Sequence, residues 1–273
     1  MTSEIEALTH ISDAIKNKHW EELRNIDVSG IKNFSFIFEG SSIPSLEYIA
    51  NWDVSNATNF SYMFSNCQEI KDLSPLINWN VSKGKQFIEM FSDCYNLEKI
   101  NGLERWNMKC ATDIHGMFLN CRTIISIVPL QDWDVSNVVS MADLFNDCSS
   151  ISSLEPLRNW NVSSSTDFSA LFKECDHIEN TKGLENWDTS KGTTFLNLFN
   201  GCSSLSSVEE LKNWDTSNGK TFIGMFEGCA ITTDNNRVFP IRNVLLRSFK
   251  RNREDVIVLI IVIIGLFIML KLI

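Results

Sequence analysis

Tryptophan recurs every 27 residues in this chain, at Trp52, Trp79, Trp106, Trp133, Trp160, Trp187 and Trp214. Cys67, Cys94, Cys121, Cys148, Cys175, Cys202 and Cys229 keep the same interval, each fifteen residues after its Trp. Phe64, Phe91, Phe118, Phe145, Phe172, Phe199 and Phe226 precede those cysteines by three. A period held this strictly marks a repeat array, in which no unit buries its apolar side alone and stacking supplies the core. One degenerate unit comes first, with Ile26 in the Trp position and Ser41 in that of Cys, 26 residues before Trp52. Atypical terminal units are what capping an array requires.

Inside a unit, Phe60, Met63, Phe64 and Cys67 stand at i, i+3, i+4 and i+7, which predicts one face of a short helix. Asp53, Ser55 and Asn56 before it are helix-capping residue types. In the second half, Ile70, Leu73 and Leu76 are spaced by three before Trp79, and a short strand near Leu73–Leu76 is expected to pair in parallel with its neighbours. Before the array, Ile5, Leu8, Ile11 and Ile15, with Trp20 and Leu23, recur at roughly helical spacing. They predict a helical cap over residues 1–25, with a partner-binding amphipathic helix as the alternative.

The run W-(D/N)-(V/T)-S-x4-(F/M)-x2-(M/L)-F-x2-C resembles the BspA-like surface-protein repeat, also known as the mycoplasma-type lipoprotein repeat, within the leucine-rich-repeat superfamily. The resemblance covers about residues 26–232, and the lead-in A-I-K-N-K-H-W-E-E-L-R-N-I-D-V-S is similar to that of such proteins. It implies an α/β repeat solenoid of leucine-rich-repeat-like coils of 27 residues, each a short helix plus a short parallel strand. It also implies a non-enzymatic protein of adhesion or protein binding. The chain departs from the bacterial pattern in having neither a secretion signal nor a lipid-attachment cysteine at its start.

Charge separates the body from the tail. Residues 1–236 hold 17 Lys+Arg against 32 Asp+Glu, a balance of -15, whereas residues 237–273 hold 7 against 2, or +5. An acidic body excludes nucleic acid as a partner. Arg237, Arg242, Arg247, Lys250, Arg251 and Arg253 precede an uncharged run from Val256 to Leu270, closed by Lys271. As a helix, residues 256–273 would reach roughly 27 Å, enough for a thin membrane. The sequence therefore predicts a basic juxtamembrane linker at 233–255 and one C-terminal transmembrane helix at 256–273. Arg247, Lys250, Arg251, Arg253 and Lys271 are its flanking residues. Basic residues on the N-terminal side and the missing signal peptide predict a tail-anchored, single-pass protein with a cytosolic array. The alternative places the array on a cell or virion surface.

The cysteines admit disulfides, a metal site, or a ladder of small buried side chains. No C-x2-C pair occurs, and the four histidines keep no register with the cysteines, so no metal or cofactor is expected. Cys110 falls off the beat and is the expected reactive thiol. The sequons at Asn33, Asn56, Asn59, Asn80 and Asn161 arise from the repeat itself. No phosphate loop, HExxH or nucleophile elbow is present, and acids repeated in register serve structure, so no enzyme is expected.

Function is then expected from a membrane-tethered protein-interaction scaffold, with a surface adhesin or viral envelope component as the alternative. In the strand half of the unit, outward positions vary while inward ones do not. Lys71, Asp72 and Ser74, then Glu98, Lys99 and Asn101, with Glu155 further on, are the candidate partner-binding face. The partner would be another protein, basic to match the body.

Overall fold

The computed structural model describes residues 4–231. Its coils turn on pairs of residues with left-handed backbone, four apart: Tyr62 and Asn66, Glu89 and Asp93, Asp143 and Asp147, Ala170 and Glu174. Such φ values cost an L-residue roughly 1–2 kcal/mol, less for Asn or Asp and nothing for Gly. Gly116, Gly201, Gly224 and Gly228 fill equivalent places. The left-handed residues redirect the peptide groups. The N–H groups of Phe60, Tyr62, Phe64 and Asn66 donate to the carbonyls of Gln86, Ile88, Met90 and Ser92 in the next coil, at 2.7–2.9 Å. Between them, the N–H groups of Met63, Ser65 and Cys67 fold back three residues to Phe60, Tyr62 and Phe64. The pattern repeats at each junction, down to Phe195, Asn197, Phe199 and Gly201 on Thr221, Ile223, Met225 and Glu227.

This geometry corrects the expected helix. An α-helix spends its N–H groups four residues back within the same segment, whereas half of these donors cross to the following coil. The i, i+3, i+4, i+7 spacing of apolar residues is met instead by a ladder of linked turns.

The expected strand is corrected as well. Among the described residues, pairing in that half is limited to single parallel bridges, Asp72 with Lys99 and Asn180 with Ser207. The chain then winds into a 3-10 turn, as at Ser74–Asn78, Leu103–Arg105 and Glu209–Asn213. A three-residue apolar spacing matches that period. Single bridges also link Asn33, Asn59, Gln86, Asp113, Ser140, Asp167, Thr194 and Thr221 in series. Among the described residues the array is thus a column of stacked, turn-built coils, not an α/β solenoid of helix and sheet, and the leucine-rich-repeat description goes with it.

What the period does fix is the core. Phe38, Phe64, Phe91, Phe118, Phe145, Phe172, Phe199 and Phe226 stack in one file, with neighbouring ring centroids 5.3–5.9 Å apart. Phe145 and Cys148 are fully buried, as the inward register demands. A second file, Phe34–Phe60–Phe87, is interrupted at Ile114 and Met141 and resumes at Phe168–Phe195–Phe222. Each Trp spans a junction with its indole: Trp79 Nε1 reaches the Ile49 carbonyl at 3.1 Å and Trp106 Nε1 that of Leu76 at 3.2 Å.

The helix α1, Glu4–Asn17, covers the first coil with Ala7, Ile11 and Ala14. Ile5 is 78% exposed. Two residues before Ala7 is about 200° around the helix, so Ile5 cannot share that face.

No helix among the described residues is long and apolar enough to cross a membrane. The single-pass, tail-anchored localisation is corrected on that finding. The span expected at 256–273 and its flanking residues Arg247, Lys250, Arg251, Arg253 and Lys271 lie outside the described residues.

Candidate interaction face

Short-range polar chemistry shapes the first half of each coil. Asp53, Asp134, Asp188 and Asp215 accept the N–H of Ser55, Ser136, Ser190 and Ser217 two residues on, at 2.8–3.1 Å. Hydrogen bonds from the serine hydroxyl and then its N–H hold the Asp27, Asp53, Asp134 and Asp188 carboxyls below the usual range. Asn80 and Asn161 do the same with Ser82 and Ser163, and Asn33 and Asn59 close equivalent turns with Ser35 and Ser61. Repetition of these acids is therefore repetition of a turn.

The cysteines form a second structural file. Cys94, Cys121, Cys148, Cys175 and Cys202 each donate the thiol to a Phe carbonyl thirty residues earlier, at 2.9–3.2 Å. Burial pushes all of these thiols up, and pushes those of Cys67 and Cys229 to about 11. All eight cysteines are free thiols, and Cys110 is exposed. The ladder of small buried side chains is the arrangement found.

Six of the seven candidate face residues come together. The Lys71 carbonyl accepts the N–H groups of both Glu98 and Lys99 at 3.0 Å, and Leu73 N–H reaches the Lys99 carbonyl at 2.9 Å. Lys71, Asp72 and Ser74 thereby lie beside Glu98, Lys99 and Asn101, above the buried Leu73 and Ile100. Asp72 is occupied locally, accepting Ser74 N–H at 2.8 Å and Ser74 Oγ–H at 2.5 Å. A shallow cavity of about 350 Å³ continues the face to Pro44, Ser45 and Glu47 of the first coil. Glu155 holds the place of Ser74 three coils later, so it joins the same face without touching the first six. Arg158 bonds Glu155 and also reaches Glu185 at 2.9 Å, so its charge is neutralised.

Sequence reasoning passed over two residues on this face. Ile125 is 69% exposed and Val128 is 50% exposed. They occupy the places that Lys71, Glu98, Ser152 and Glu179, and Ser74, Asn101, Glu155 and Lys182, fill in other coils. Aligning the units in columns shows them as the apolar exceptions.

A family described as "Mycoplasma protein of unknown function, DUF285" matches the chain over residues 6–126, 96–182 and 153–249. The three matches overlap and together span most of the sequence. The chain belongs to this family. DUF285 membership fixes a mycoplasma-type repeat protein; the BspA-like assignment is finer than the family match. No curated protein matches the chain.

Proposed function

We propose that this DUF285 protein is a non-enzymatic, BspA-like interaction module whose partner protein lies across the face of Lys71, Asp72, Ser74, Glu98, Lys99, Asn101 and Glu155, centred on Ile125 and Val128. The observation that carries the reading is the contrast between a core repeated almost unchanged and a face whose exposed residues differ from coil to coil. Repeat columns present binding surfaces in this way. Exposed apolar side chains ringed by polar ones mark the centre of such surfaces. The acidic body favours a basic partner. On this face Glu155 is paired with Arg158, and Lys71 and Lys99 stand beside Asp72 and Glu98, so the local charges largely offset one another and the apolar pair is the larger contributor.

The test uses affinity capture with the full chain. Ile125→Asp with Val128→Asp should abolish capture of a specific protein without lowering the melting temperature, and Glu98→Lys should weaken it in a salt-dependent way. Asp143→Lys, on the turn side of the coil, should leave it unchanged. Capture lost only with Asp143→Lys would move the site, and capture indifferent to all of these changes would end the proposal.

A further inference from the structure

We propose a second docking site, at the far edge of the last coil, that takes a turn-forming backbone segment of a partner protein bearing the coil's own Phe-x-x-(Met/Leu)-Phe pattern. The donors in this turn ladder all point one way. At each interior junction, four N–H groups of one coil meet four carbonyls of the next. In the last coil the corresponding donors are Phe222, Gly224, Phe226 and Gly228, and none has an acceptor among the described residues. The previous junction shows what fits them: a segment such as 221–227, offering carbonyls at every second residue, with Phe226 stacked 5.7 Å from Phe199. Ile223, 60% exposed, and the half-buried Phe226 supply an apolar rim beside the donors.

Other occupants are disfavoured by the same geometry. Two copies meeting edge to edge would set donors against donors. The opposite end of the column carries the complementary carbonyls of Asn33, Ser35, Ile37 and Glu39, but α1 lies there. Leu8, Ile11 and Ile15 line one cavity with Ile37, so a second copy cannot stack on that end. Nor does the chain's own continuation repeat the pattern. One 27-residue step beyond Phe226 and Cys229 stand Arg253 and Val256. Residues 249–253 read Phe-Lys-Arg-Asn-Arg, which keeps the first Phe of the pattern and puts polar side chains where its Met/Leu and second Phe would stand.

Residue-resolved hydrogen exchange on the full chain tests this, with a synthetic peptide copying residues 219–229 as the probe. Alone, the chain should exchange the Gly224, Phe226 and Gly228 amides far faster than the Asn197, Phe199 and Gly201 amides. Saturating peptide should slow the first three by roughly tenfold or more, and a peptide with Arg in place of its second Phe should not. Slow exchange in the chain alone at every concentration would mean that its own residues close the edge. Protection that rises with protein concentration would mean that copies pair. Exchange unmoved by the peptide would mean that the edge is simply hydrated. Any of these three results overturns the proposal.

Discussion

The carbonyl of Leu103 accepts the indole N–H of Trp133 at 2.8 Å while also accepting the backbone N–H of Trp106 at 3.1 Å. Both lone pairs of one oxygen are used, one for the coil's own turn and one for the junction to the next. A buried indole N–H requires such a partner. Trp133→Phe keeps the ring packing and removes the donor, and should cost about 1–3 kcal/mol; Trp133→Ala adds a cavity and should cost about 3–5 kcal/mol. Urea denaturation of the two variants reads both values. A near-neutral Trp133→Ala would show that the indole does not join the coils.

Ala170 separates turn from helix. Its φ is +50°. In a helix, Ala→Gly costs about 1 kcal/mol, whereas at a left-handed position glycine removes steric strain of similar size. Ala170→Gly should therefore leave thermal stability unchanged or raised, and a clear loss would favour the helical reading.

Gly183 has no such freedom to vary. With φ at +102°, an added Cβ would lie 2.2 Å from the Leu154 carbonyl oxygen of the coil before, a backbone atom that cannot swing away. Gly183→Ala should destabilise by about 1–3 kcal/mol. Gly30→Ala, which meets nothing within 4 Å, should be close to silent. Equal midpoints for the two variants in a chemical melt would contradict the close coil-to-coil approach.

Thiol reactivity should follow burial. In the native chain at neutral pH, Cys110 should be alkylated first and the deeply buried thiols of Cys94, Cys121, Cys148 and Cys175 left intact, because burial holds them protonated. Peptide mass mapping after brief iodoacetamide treatment shows which residues carry the label. Early labelling of Cys148 would contradict the ladder.

Acid should loosen the first half of the coils. Asp27, Asp53, Asp134 and Asp188 have depressed carboxyl values from serine hydrogen bonds. Their stabilisation is present above the unfolded value of about 4 and is lost as pH falls through the lower folded values. The melting temperature should decline below about pH 4, and Asp53→Asn with Asp134→Asn should flatten that decline. An unaltered pH profile in the double variant would assign acid sensitivity elsewhere.

Much of this column could be read from residue types alone. Trp133, Phe145 and Cys148 lie inward because a strict period leaves one shared interior. The local conformation was harder to read. Four apolar residues from Phe60 to Cys67 suit a helix as well as linked turns, and the deciding signal lay in the residues just before most of the cysteines, Cys175 with its Glu174 being an exception. Asn66, Asp93, Asn120, Asp147 and Gly201 are types that tolerate a left-handed backbone. Seven face residues, the six that come together and Glu155 three coils on, were identifiable from their variation. Ile125 and Val128 were not, because an apolar residue in a repeat reads as core until its column is known.

The one-way ladder also gives the column an electrical direction. In the turn ladder, each inter-coil N–H points toward later coils and the carbonyl it meets points back toward earlier ones, so these peptide dipoles add from coil to coil as they do along a helix. Outside the ladder the N–H groups of Thr58, Lys85 and Thr112 point the other way, to the carbonyls of Lys32, Thr58 and Lys85. It is therefore the ladder edge alone that is positive at the last coil and negative at the first, beneath α1. Lys16, in the last turn of α1, lines the same cavity as Ile37 and so brings its cation to the negative end. Inserting a coil would carry the two poles further apart without changing either, so a longer column would be no more polarised at its tips than this one.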